Sequence, residues 1–255
     1  MWYDEREKRW ILMNEVIREL MARKSVRAFE KREIDAAEKE AILLAAANAP
    51  TAGNQQLYTI IDVTDQGLKE KLAVSCDNQP FIAEGKMVLI FCADCRKWYR
   101  AFQETGSAPR LPGEGDLMLS VSDATIAAQN AVVAAESLGI GSCYIGDIME
   151  NCEIHREMLQ LPRWVFPCCM LVFGYPTPQQ QERKKPERAA LRHIVHENGY
   201  RDMDGDELRK LFGKKAGMRP YEEWMQAFCE RKFNSDFSRE MQRSVREYLK
   251  DFDGE

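Results

Sequence analysis

The sequence predicts an α+β protein in which helices surround one sheet. Residues 87–92 are a continuous apolar run, the pattern of a strand covered on both faces, and residues 165–173 read as a further strand. Residues 120–138 form an alanine-rich stretch of helical period. Strands and helices are mixed without a regular βαβ alternation, which favours the α+β class.

Each element has its own warrant. Residues 4–22 read as a helix, because Ile11, Leu12, Glu15, Val16, Glu19 and Leu20 set apolar and charged faces at helical spacing. A cationic segment follows directly. A second helix is expected over 35–48, with Ile42, Leu43, Ala45 and Ala46 inward and Pro50 as its stop. Residues 57–63 read as a strand, 68–75 as a short helix and 87–92 as a central strand. Residues 103–116 hold three Gly and two Pro and read as a long, functional loop. In the helix at 120–138, Ala124, Ala127, Ala128, Ala131, Ala134 and Ala135 allow close approach of a second helix, as a buried central helix or a dimer core; Gly139 and Gly141 end it. Residues 143–148 read as a strand and turn, 165–173 as a strand after a small helix closing at 159–162, 176–188 as a polar loop and 192–196 as a short last strand. Residues 206–255 read as amphipathic helix and turn, anchored by Trp224, Phe228, Phe233, Phe237, Met241 and Tyr248. The expected organisation is a core over 1–200 and a helical extension over 201–255 that wraps the core or a partner subunit.

Bulk numbers exclude several classes. With 255 residues, 45% hydrophobic and 30% charged, the chain makes a packed globule rather than a disordered one. A formal charge of −5 argues against nucleic acid as a partner. The charged start Met1-Trp2-Tyr3-Asp4-Glu5-Arg6 has no apolar signal core, and no apolar run nears the roughly 20 residues of a bilayer span. A soluble, cytoplasmic protein without membrane association is expected. Several of the eight cysteines sit in apolar runs, so they read as reduced core residues. Cys92-Ala93-Asp94-Cys95 is a lone pair of thiols; zinc would need two more ligands at suitable spacing. The histidines are few, His155, His193 and His196, and His196, at a strand end, reads as structural rather than catalytic.

Two segments carry chemistry. Arg23-Lys24-Ser25-Val26-Arg27 packs three cations and a hydroxyl into five residues, a grip for phosphate. Ala49-Pro50-Thr51-Ala52-Gly53-Asn54-Gln55-Gln56 sets small, hydroxyl and amide side chains on an irregular turn between helix and strand, suited to reading a polar edge. Asn54 and Gln56 also have the ordinary role of capping turns.

Those segments, together with Glu136-Ser137-Leu138-Gly139-Ile140-Gly141-Ser142, then Tyr144-Ile145-Gly146-Asp147 and Phe173-Gly174-Tyr175-Pro176, resemble the FMN-dependent nitroreductase family in order and spacing over residues 14–198. The late basic loop resembles the larger nitroreductase and flavin-reductase branch. The resemblance implies a nitroreductase-like fold, a central, mostly antiparallel sheet surrounded by helices, in an intertwined homodimer with FMN at the subunit interface. It implies ping-pong reduction of nitroaromatics, quinones or flavins by NADPH or NADH.

By the same resemblance, Arg23, Lys24 and Ser25 would hold the FMN phosphate or ribityl chain, with Lys185 and Arg188 closing on the phosphate. Arg27 would face the pyrimidine edge, where a cation stabilises the reduced anion. Asn54 and Gln56 would meet the flavin edge, with the partner chain as one source of them. Tyr144 and Ile145 would line the site, and Gly146 and Asp147 would offer backbone N–H groups near N5 and O4. No dedicated acid or base is required. The sequence departs from the family at Thr51 (usually Ser), at Leu57 (usually Pro) and in the two residues between Lys185 and Arg188. Arg110, Arg231 and Lys232 are the cations considered for a 2′-phosphate. The same scaffold also serves reductive dehalogenation and flavin fragmentation, and a non-catalytic flavin-binding redox module is a third alternative.

Overall fold

A computed structural model describes residues 2–4, 9–11 and 13–254. The strands are β1 (Trp2–Asp4), β2 (Arg9–Ile11), β3 (Tyr58–Asp62), β4 (Met87–Asp94), β5 (Gly141–Ile145) and β6 (Val165–Gly174). The helices are α1 (Glu15–Ala22), α2 (Ala36–Ala47), α3 (Gln66–Ser75), α4 (Phe81–Glu84), α5 (Arg96–Glu104), α6 (Glu114–Ser137), α7 (Cys152–Leu159), α8 (Pro178–Glu182), α9 (Gly205–Phe212), α10 (Tyr221–Lys232) and α11 (Asp236–Leu249). Contacts divide the chain into a larger unit, Glu15–Lys184 with Glu240–Glu255, and a smaller one, Met1–Asn14 with Lys185–Arg239.

The larger unit is built on one antiparallel sheet of order β3-β4-β6-β5. Every residue of β4 and β6 is buried, as their unbroken apolar runs require. Helix α6 lies against the sheet and α2 packs on α6. Ala124, Ala127, Ala128, Ala131 and Ala135 give α6 its buried face, which also takes in Ser120 and Asp123. By length and composition alone α6 is apolar enough to cross a membrane, contrary to the expectation from single runs. Its buried alanine face makes it a core helix instead. It starts at Glu114, six residues earlier than its alanines indicate. The Asp116 carboxylate accepts the Gly113 N–H at 2.9 Å and the Arg110 guanidinium at 2.5 and 2.9 Å, which stabilises that first turn.

The C-terminal part of α11 belongs to this unit. Tyr248 and Phe252 are fully buried, and Tyr248 meets Phe166 edge-on at 5.1 Å. Ser244 donates to the Met149 carbonyl at 2.7 Å and accepts the Cys152 N–H at 2.9 Å. Glu240 accepts the Asn151 N–H at 3.1 Å.

In the smaller unit, β1 and β2 pair antiparallel with Tyr3 opposite Trp10. This corrects the helix expected over 4–22, which begins only at Glu15; residues 5–8 and 12 of that span lie outside the described residues. The strand formers Trp2, Tyr3, Trp10 and Ile11 override the short helical spacing. The strand expected at 192–196 is a 3-10 turn, Leu191–His193, with Ile194 and Val195 each 64% exposed. Helices α9 and α10 follow; Asp204 and Glu207 cap α9 reciprocally.

Candidate functional site

Residues 23–30 form an extended strap across two strand ends of the larger unit. Ser25 bridges Ser142 at the start of β5, and the Val26 N–H donates to the Ser142 carbonyl at 2.9 Å. The Glu30 N–H donates to the Tyr175 carbonyl at 2.8 Å, just beyond β6. Two glycines make this closeness possible. A Cβ on Gly141 would sit 2.5 Å from Val26 Cγ2, and one on Gly174 would sit 2.7 Å from the Phe29 ring.

Extended backbone sends alternate side chains to opposite faces. Val26 turns into the core. Arg23, Ser25 and Arg27 take the other face, each close enough to Cys143 to act on its thiol. Burial pushes that thiol up, and Arg27, Ser25 and Arg23 pull it partly back. The Arg23 guanidinium donates to Ser142 Oγ at 3.5 Å and lies over the Tyr144 ring, 5.8 Å from its centroid. Its Nε is buried without an acceptor. Arg27 is exposed, with its guanidinium 5.9 Å from the centre of the Phe81 ring. Two guanidinium groups and a hydroxyl along one face of the strap, with a buried N–H lacking an acceptor, fit a phosphate-bearing group. Lys24 departs from this group: its ammonium donates to the Gln181 and Arg183 carbonyls at the end of α8. Arg183 in turn donates to the Ser25 carbonyl, so α8 clamps the strap.

The 51–57 turn is held by a residue that sequence reasoning missed. Gly53, Asn54 and Gln56 have φ of 56°, 56° and 50°. Such left-handed backbone needs outside support. The buried Asp123 carboxylate of α6 supplies it, accepting the Ala52 N–H at 2.9 Å and the Leu57 N–H at 3.2 Å. Asn54 is exposed, whereas Gln56 donates through Nε2 to the Ala47 carbonyl at 3.1 Å and so caps α2. Asp123 and Val132, which borders the same small hollow as Arg23, are nine residues apart on α6. At 1.5 Å per residue that is about 14 Å, so one chain does not bring this turn onto the strap.

Tyr144 and Ile145 end β5, beside the strap; Ile145 is buried, and the Tyr144 hydroxyl donates to Gln129 Oε1 at 3.3 Å. Gly146 and Asp147 open a 3-10 turn. A Cβ on Gly146 would find only Met149 Cε, at 3.8 Å, so the space over this backbone is open. Glu150, in the same turn, is 5% exposed with Oε1 lacking a partner, and burial followed by the charges of Asp147, Asp77 and Glu240 pushes its carboxyl up to about 7. His155 is scaffolding: burial lowers its pKa, and its ring nitrogens meet the Ile148 carbonyl at 3.0 Å and Ser75 Oγ at 2.8 Å.

Beside the 51–57 turn is a hollow of about 310 Å³, walled by Trp98, Tyr99 and Phe102 of α5, with Gln55, Arg110 and Leu119 around it. Trp98 Nε1 donates to the Gln55 carbonyl at 2.8 Å. The aromatic wall comes from the helix before the 103–116 segment, which has no aromatic residue of its own. Of the cations considered for a 2′-phosphate, Arg110 is paired with Asp116, while Arg231 and Lys232 lie over Phe228 and Phe237 in the smaller unit. Lys185 and Arg188 open that unit, half-buried and exposed respectively. Cys92 and Cys95 are buried, and burial pushes Cys95 up to about 11.

The chain belongs to the nitroreductase family, whose model matches residues 20–175. It is 32% identical over 244 residues to the FMN reductase (NADPH) of Bacillus subtilis, covering 94% of this chain and 96% of that protein. It is 34% identical over 192 residues to the oxygen-insensitive NADPH nitroreductase of Salmonella typhimurium, covering 75% and 77%. Among solved structures, the NfrA1 nitroreductase of B. subtilis superposes with a TM-score of 0.79 at 27% identity, over 92% of this chain and 98% of that one.

Proposed function

We propose that this protein is an FMN-dependent NAD(P)H oxidoreductase acting as a cytoplasmic homodimer on planar acceptors such as nitroaromatics, quinones or flavins. The observation that carries the reading is the placement of Arg23, Ser25 and Arg27 on one face of the strap, with the buried Arg23 Nε lacking an acceptor. The NADPH-linked activities named for the two relatives support the nucleotide. When bound, FMN supplies hydride acceptance from the nucleotide and two-electron delivery to the acceptor.

The chain's residues bind and orient. Arg23 and Ser25 hold the phosphate end. Lys24 anchors α8, which steadies the strap. Arg27 supplies positive charge at the pyrimidine edge. Tyr144 and Ile145 floor the site, and the open backbone at Gly146 and Asp147 donates toward N5 and O4. Asn54 and Gln56 act from the partner chain, as the spacing along α6 favours, with Gln56 holding the turn through α2. The aromatic hollow on α5 receives the flat acceptor; an aromatic face suits a planar electrophile.

Purified protein reconstituted with FMN will show a flavin spectrum that NADPH or NADH bleaches without oxygen, and menadione will restore it over many cycles. Protein that neither takes up FMN nor oxidises either nucleotide overturns the reading.

A further inference from the structure

The other face of α5 lines a second hollow, of about 300 Å³. Arg96, Lys97 and Arg100 stand on one wall, and Leu159, Leu161 and Val165 form an apolar one. Asp94, the only carboxylate lining it among the described residues, is already engaged. Its Oδ1 accepts the Arg96 and Lys97 N–H groups at 3.0 and 3.2 Å, and its Oδ2 accepts the Thr59 hydroxyl at 2.6 Å. Lys97 Nζ donates to the Tyr58 carbonyl at 2.6 Å and is 3.8 Å from Asp94. Among the described residues Arg100 pairs only with the exposed Glu104, at 3.9 Å. The half-buried Arg96 guanidinium has no ion pair or hydrogen bond among the described residues. Its five N–H donors are built for a carboxylate or phosphate.

This hollow is separate from the strap. Val165 begins β6, while Phe29 packs on Gly174 at its other end. Nine residue steps at 3.3 Å make about 30 Å.

We propose that this second hollow binds a small organic anion, a carboxylate or phosphate ester on an apolar body. Arg96 and Arg100 take the charged end, and Leu159, Leu161 and Val165 cover the body. Such a ligand would touch α5 directly opposite the aromatic hollow.

The test is calorimetric titration of the protein in excess FMN, at constant ionic strength, with phenyl phosphate, benzoate and neutral benzamide. Excess FMN keeps phenyl phosphate from the strap, and heat reports binding whether or not the protein turns over. Saturable binding of at least one anion is expected, with benzamide at least about tenfold weaker, because a charge-assisted pair contributes roughly that much. The tighter of the two anions tells phosphate from carboxylate. Arg96→Met will weaken binding about tenfold, and Arg96→Lys will recover part of it. Arg100→Met serves if Arg96→Met loses its helical circular-dichroism signal. No saturable binding of either anion, or equal affinity in folded arginine variants, overturns the proposal.

Discussion

Removing the Asp123 carboxylate tests how the 51–57 turn is held. Asp123 is 2% exposed and accepts two backbone N–H groups, from Ala52 and Leu57. A hydrogen bond to a charged acceptor contributes about 1.5–3 kcal/mol, and a buried donor left alone bears its desolvation penalty. Loss of two coupled bonds in Asp123→Ala therefore costs about 2–4 kcal/mol, since neighbouring losses do not add fully. For a chain of this size each kcal/mol moves the melting temperature by about 2–4 °C, so a fall of roughly 5–15 °C is expected. Asp123→Asn keeps one acceptor and turns an N–H toward the other amide; it should lose about half as much. The assay is thermal unfolding followed by circular dichroism, with FMN retention measured on the same samples. An alanine variant that melts within about 2 °C of the parent would show that the turn does not depend on Asp123.

Other expectations can be checked in parallel. Arg27→Met should weaken FMN binding by about ten- to a hundredfold, as loss of a charge-assisted contact does; titration of apoprotein by flavin fluorescence checks it, and unchanged affinity would place Arg27 outside the cofactor site. Gly141→Ala drives a methyl into Val26 and should destabilise by about 1–3 kcal/mol, read by urea unfolding; full stability would mean that strap and strand can part without cost. Glu150 holds its proton more tightly folded than unfolded, so its contribution is present below its unfolded pKa and declines as pH rises to about 7. Glu150→Gln should match the parent near pH 4 and exceed it by up to about 3 kcal/mol near pH 8; parallel stability curves for the two proteins would contradict that. Trp98→Ala should raise KM for menadione several-fold while leaving flavin reduction by NADPH unchanged; an unaltered KM would remove the acceptor from the α5 hollow.

Much of the strap was legible because its chemistry is local. Alternation along an extended segment places Arg23, Ser25 and Arg27 on one face wherever the strap lies. The same rule sets Lys24 apart, although its use in holding α8 depends on residues far along the chain. The buried run of β4 was equally plain. Asp123 was hidden, because a carboxylate among alanines reads as a solvent-facing helix residue until the turn that it supports is in place. The α5 aromatics were hidden for a different reason: residues 103–116 read as the functional loop and hold no aromatic residue, and the wall stands just before them. Helical spacing over 11–20 extended α1 too far toward the N-terminus, where strand formers pair instead. Tyr248 reads as one of several tail anchors, and only tertiary packing singles it out for complete burial.

The two missing methyl groups beneath the strap have a consequence for mutational surveys. A scan restricted to charged and polar positions would find Arg23, Ser25 and Arg27 and pass over Gly141 and Gly174, yet these decide how far above the sheet the whole cationic row rides. Ligand affinity would then drift with changes at sites that touch no ligand, and relatives with bulkier residues there would need a differently seated row.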